Sequence, residues 1–118
     1  MNDLEKARPL LQPALDRGGN THKWDDIVNA LVKGSMQLWV GEKSAAVTEI
    51  LAYPEKKVLH VFVAGGNMNE LISMIDSAKE WAKLQKCDSM TISGRRGWEK
   101  VLSKEGWKAK MIVMEKEL

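Results

Sequence analysis

The sequence predicts an α/β domain of the α+β kind: a mixed central sheet in which an antiparallel three-strand meander precedes two β–α units. Three observations predict it. Strand-like runs at residues 36–40, 45–53 and 58–64 are separated only by Gly41-Glu42-Lys43-Ser44 and Pro54-Glu55-Lys56-Lys57. Polar turns this short join neighbouring strands as antiparallel hairpins. Next, Leu71, Met74, Ile75, Ala78, Trp81 and Ala82 recur at helical spacing, the mark of a helix with one buried face. Finally, residues 89–93 read as a strand, Trp98, Val101 and Leu102 belong to a further helix, and residues 107–115 read as a last strand. A strand–helix–strand succession calls for parallel pairing, because the helix carries the chain back to the same end of the sheet.

The elements follow in order. Asn2 and Asp3 are suited to cap a first helix, with Asp3 and Glu5 favouring its positive end. Leu4, Leu10, Leu11 and Leu15 give it an apolar side, but Pro9 and Pro13 each remove a backbone donor. A kinked or broken helix is expected, ending at Gly18-Gly19. A second helix is expected over residues 22–33, capped by Thr21, with Trp24, Ile27, Val28, Leu31 and Val32 on one stripe. Asp25, Asp26 and Lys33 match the helix dipole, and Gly34 stops it. In the third strand Val58, Leu59, Val61, Phe62 and Val63 are apolar on both alternating faces, which predicts a central strand covered from both sides. Gly65-Gly66 is expected to break that strand, and Asn67 or Asn69 to cap the long helix. Gly106 should stop the helix that precedes the last strand.

The chain of 118 residues fits one domain, 1–118, with one core. Its 18 basic and 16 acidic residues leave a net charge of +2, which argues against a nucleic-acid partner, since such proteins carry a dense basic patch. Cys87 is the sole cysteine, so no intrachain disulfide forms and a reducing compartment is expected. No apolar run approaches membrane-spanning length, and the polar start lacks a secretory pattern. A cytoplasmic protein without a membrane partner is the expectation. His22 and His60 are far apart, with no metal-ligand spacing.

The order of helices and strands, with the segment "GRRGWEKVLSKEGW" at residues 94–107, resembles the GNAT superfamily of acyl-CoA N-acyltransferases. The likeness spans nearly the whole chain, but the family's first and seventh strands have no counterpart. Gly106-Trp107 matches the Gly-aromatic pair that ends the family's late helix. The junction Val63-Ala64-Gly65-Gly66-Asn67 matches its glycine-containing strand-to-helix loop. By resemblance, Val63, Ala64, Gly65, Gly66, Asn67 and Asn69 would surround the pyrophosphate of acetyl-CoA, held by main-chain N–H groups. Arg95 and Arg96 would reach an anionic group of the same cofactor. Two departures stand out. The loop lacks the family's Arg or Gln and its glycines are adjacent, and Leu102 occupies the position of the usual catalytic Tyr.

For the chemistry itself, Glu49 and His60 are the polar interruptions in apolar strands. With a tight hairpin at residues 54–57, Glu49 would face Phe62 and lie diagonal to His60. Acetyl transfer needs a neutral amine, so a carboxylate beside an imidazole is a candidate general base. The plainer alternative is a solvated Glu49 and a hydrogen-bonded His60. Two functions follow. One is an N-acetyltransferase using acetyl-CoA. The other is a non-catalytic protein acting through a protein partner or a second copy. "QLWVGEKSAAVTEI" and "KKVLHVFVAGG" resemble short GNAT-like proteins of tailed bacteriophages, which implies a structural or host-directed role in host cytoplasm or virion.

Overall fold

A computed structural model describes residues 3–18, 21–94 and 96–118, apart from the side chain of Arg96. Asn2, Gly19 and Arg95 lie outside the described residues, and with them the expected cap at Asn2 and the second glycine of the helix stop. Helix α1, Asp3–Arg17, runs unbroken through Pro9 and Pro13. The expected break is absent because both prolines are exposed and four residues apart. The turns they weaken face water, which meets backbone groups that a buried helix would strand. The opposite side carries Ala7, Leu11 and Leu15 into the core.

Helix α2, Trp24–Lys33, starts two residues later than expected. Thr21 does not cap it; its hydroxyl sits 2.8 Å from His22 Nδ1. The Asp26 carboxylate instead accepts from Lys23 N–H at 2.8 Å, and an acid in the first turn also suits the dipole. Gly34 ends the helix at φ 81°, in the left-handed region.

Four strands form one sheet in the order β1-β2-β3-β4: β1 Met36–Val40, β2 Ser44–Ala52, β3 Lys57–Gly66 and β4 Ser89–Ile92. The meander pairs antiparallel and β3 pairs parallel to β4, as the connections predict. Two details differ. The β2–β3 turn spans residues 53–56, closed by Tyr53 N–H donating to Lys56 O at 2.8 Å, so Glu49 pairs with His60 rather than with Phe62. Gly65 and Gly66 do not break β3; they pair with Ala45 and Ser44.

The register slips between Val47 and Thr48, leaving Phe62 as the extra residue of a bulge. Beyond it, Val63 joins Ala45 and Val47 against Ala7, Leu11, Leu15, Trp24 and Ile27 of α1 and α2. Before it, Leu59 packs against Ala78 and Ala82 of helix α3, Met68–Leu84. The central strand is therefore covered on both faces, as its apolar run predicts. Fully burying a Leu or Val contributes about 1.5–3 kcal/mol. Among the described residues Ser44 and Thr48 of β2 are the buried polar ones, and Thr48 accepts from Trp39 Nε1 at 2.9 Å and donates to Gln37 Oε1 at 2.8 Å.

After β4 come helix α4, Arg96–Leu102, and a 3-10 turn, Ser103–Glu105, stopped by Gly106 at φ 89°. The expected last strand at residues 107–115 does not form; residues 107–118 carry no helix or strand. A strand is stable only when its backbone groups find a neighbouring strand, and this run has none. No helix among the described residues is long and apolar enough to cross a membrane.

Candidate functional site

Strands β3 and β4 run together only from Val58↔Ser89 to Val61↔Ile92. Beyond that pair β3 continues to Gly66, held by β2 alone, while the chain from Ser93 turns toward α4. Two parallel strands thus part at their carboxyl ends. In open α/β sheets this is where ligands bind, because a crevice opens there with unpaired backbone along one side. Two sets of polar groups flank the opening.

One set is centred on His60, one residue before the strands part. Strand alternation places its side chain opposite Leu59, away from α3. Nδ1 lies 2.8 Å from Thr91 Oγ1 and Nε2 3.3 Å from Ser93 Oγ. Both neighbours are hydroxyls, which can donate or accept, so either neutral tautomer is accommodated. Partial burial pushes the His60 pKa below its ordinary 6.5, opposed by the nearby Glu49 carboxylate. The shift favours the neutral imidazole, in which one ring nitrogen donates to a hydroxyl and the other accepts from one. The two residues named from sequence, Glu49 and His60, are direct cross-strand neighbours. Thr91 and Ser93 were not foreseen. Their alternation across residues 89–93 is visible in the sequence, but it points to His60 only once the parallel register is known.

The other set lies at the β3–α3 junction. Asn67 caps α3 through Oδ1, which accepts from Glu70 N–H at 3.0 Å, and its own N–H donates to Ser44 Oγ at 2.9 Å. The Glu70 carboxylate turns back to accept from Lys43 N–H at 2.8 Å and Glu42 N–H at 3.1 Å. The Ser44 hydroxyl first, and then Lys43 N–H, hold the Glu70 carboxyl below its usual value. The sequence places Glu70 in the first turn of α3, but its reach to the β1–β2 turn is not readable there. Met68 and Asn69 keep main-chain N–H groups without a partner among the described residues.

The glycines also make room for the chain itself. A Cβ on Gly65 would collide with the Leu10 carbonyl oxygen of α1, and one on Gly66 would come 2.6 Å from Ser44 Cα. Gly66 also sits at φ +122°. The space left by the missing side chains is filled by α1 and β2. Val63 is buried in the α1–α2 cluster, and Ala64 lines a small apolar cleft under α3 with Trp39, Val61 and Trp98. Arg95 and the side chain of Arg96 lie outside the described residues. Leu102, at the family's Tyr position, is 3% exposed.

No protein-family model matches this sequence, and no curated protein matches it. Solved structures do share its shape. A transcriptional regulator from Bacillus halodurans superposes with a TM-score of 0.73 at 15% identity, covering 98% of this chain and 93% of its own. A probable acetyltransferase gives 0.69 at 13%, with 98% and 90% covered. An aminoglycoside acetyltransferase from an uncultured soil sample, in complex with trehalose, gives 0.67 at 10%, with 99% and 91% covered. Identities this low speak to the fold and not to the activity. The four-stranded mixed sheet and its helices have the GNAT-like acetyltransferase fold.

Proposed function

We propose that this chain is a GNAT-like N-acetyltransferase that moves an acetyl group from acetyl-CoA to an amine. The observation that carries the reading is the parting of β3 from β4 at their carboxyl ends, with a neutral His60 at the edge of the opening. The residues present fit the cofactor. Its extended, amide-bearing arm suits the β3 edge at residues 62–66, where Val63, Ala64, Gly65 and Gly66 have no β4 partner. Its diphosphate suits the start of α3, where Met68 and Asn69 offer N–H groups beside the capping Asn67. Arg95 and Arg96 are placed in sequence to add positive charge.

Bound acetyl-CoA supplies the acyl thioester. The chain's own residues handle the proton. Thr91 holds the ring at Nδ1, Nε2 accepts the proton from the amine in exchange for its longer contact to Ser93, and Glu49 steadies the imidazolium by its opposite charge. Leu102 offers no hydroxyl, so that position would not protonate the leaving thiolate and solvent would supply the proton.

Calorimetry with acetyl-CoA is the first test, and Met68→Pro is its control. Asn67 already has φ −77° and ψ 124°, the conformation a residue before proline needs. Proline is also tolerated at the first helical position. The variant should keep its fold, lose one phosphate-facing N–H and bind about tenfold more weakly or worse. No binding by the unaltered protein at millimolar ligand would overturn the reading.

A second reading is favoured by one observation. The Glu70 carboxylate places negative charge at the start of α3, where the diphosphate would sit. Under that reading the fold has lost its cofactor and acts through contacts, including the bacteriophage-type structural or host-directed role.

A further inference from the structure

We propose that the acceptor is a short aliphatic diamine, whose reacting nitrogen meets His60 while its second, charged nitrogen docks on Glu49. The inference rests on the acetyltransferase reading above and names the substrate class of the same site. Glu49 is half-buried within β2. Among the described residues its carboxylate makes no hydrogen bond and no ion pair, only an electrostatic contact with His60. The ring does not supply the missing donor, because Nδ1 and Nε2 are engaged with Thr91 and Ser93. Polar groups drawn out of water are normally hydrogen-bonded. This carboxylate is therefore open to a donor from outside the chain, and its oxygens are not sealed off: the enclosed polar side-chain atom without a partner among the described residues is Ser89 Oγ.

The surroundings select a cation. Lys57 and Glu49 are the formally charged residues of the four strands. Lys57 turns to the α3 side, where Nζ donates to Gln85 O at 2.7 Å. Glu49 shares the other face with His60 and Thr91, so no cation of the sheet competes for it. A charge at a protein surface attracts its opposite more strongly than it would in bulk water. The nitrogen it holds is not the reacting one. A carboxylate on that nitrogen would favour its charged form, whereas transfer needs the neutral amine. The second nitrogen carries no such conflict, and the two carboxylate oxygens can serve it and the imidazolium together. Glu49 and His60 are direct cross-strand partners. Their Cβ atoms then lie about 4.5–5.5 Å apart, and a spacer of roughly three to five methylenes joins the two side-chain ends. In the step itself the reacting nitrogen bonds the thioester carbonyl carbon, the C–S bond breaks with its electrons leaving on sulfur, and the amine proton passes to His60.

Release of CoA from acetyl-CoA with three acceptors of equal chain length tests this: diaminobutane, butylamine and aminobutanoate, each with its groups at the chain ends. The diamine should exceed butylamine in kcat/KM by roughly tenfold or more, as a charge-assisted contact predicts. The amino acid should be slowest, because its carboxylate meets Glu49. Glu49→Gln should bring the diamine-to-butylamine ratio to about one, since any effect on proton transfer is common to both acceptors and cancels. Glu49→Asp should keep part of the preference. Equal rates with all three acceptors, or a diamine preference that survives Glu49→Gln, overturn the proposal and leave the acetyltransferase reading standing. If none of the three releases CoA, the acetyltransferase reading falls, and calorimetry with diaminobutane alone decides the site: binding that Glu49→Gln abolishes supports it, and no binding overturns it.

Discussion

Substituting Gly66 by Val distinguishes a glycine kept for a ligand from one kept for the chain itself. Gly66 sits at φ +122°, where a residue with a side chain pays about 1–3 kcal/mol in backbone strain. Its Cβ would lie 2.6 Å from Ser44 Cα and 2.7 Å from Ser44 Oγ, far inside contact distance. Relieving that overlap means prising the end of β3 from β2, and forced overpacking costs about 1–3 kcal/mol more. The sum, about 2–6 kcal/mol, is a large share of the 5–15 kcal/mol that typically holds a small domain together. Urea denaturation is the assay. With a slope of about 2 kcal/mol per molar, the midpoint should fall by roughly 1–3 M, or the protein should fail to fold. An unchanged midpoint with acetyl-CoA binding abolished would refute the reasoning, because the glycine would then be reserved for the ligand.

Two further outcomes are expected. Trp81, on α3, is half-buried, edge-on to Trp39 at 5.9 Å between ring centres, and packed against the cluster of Leu59, Ala78 and Ala82. Trp81→Ala should therefore cost about 2 kcal/mol, below the roughly 3–5 kcal/mol of a fully buried aromatic, read from the melting curve. For His60 the folded pKa lies below 6.5, so the unfolded chain binds the proton more readily. Its neutral state stabilises the fold above pH 6.5, and that contribution is lost as pH falls through the folded pKa. His60→Gln should flatten this part of the stability profile. The same substitution should remove the acid limb of the rate profile, which is expected below pH 6.5; an unaltered limb would exclude His60 as the base.

The meander, the long helix and the parallel return to β4 were legible because each rests on local patterns: apolar period, turn chemistry and chain connectivity. What escaped depends on distant residues. The prolines of α1 predicted a break, but their cost depends on which side of the helix they face, and that is set by the core cluster around Leu11. Gly65-Gly66 read as a ligand loop because a missing Cβ signals close approach without saying of what; here it is Leu10 and Ser44. The run at residues 107–115 has strand propensity, yet propensity supplies no partner.

The candidate base shows how two small features set a site. The turn at residues 53–56 places Glu49 opposite His60, and parallel pairing then sets Thr91 beside that imidazole. The same four-residue turn placed one residue later, at 54–57, would have put Glu49 opposite Phe62 and parted the carboxylate from the ring. The bulge at Phe62 acts next. Without it, strand alternation would turn Val63 to the α3 side with Leu59 and Val61, emptying its place in the α1–α2 cluster. With it, the strand buries Leu59 on one face and Val63 on the other, while His60 stays half-open next to the point where β3 leaves β4. The polar group falls where the sheet splits because the register and the bulge together leave it uncovered there.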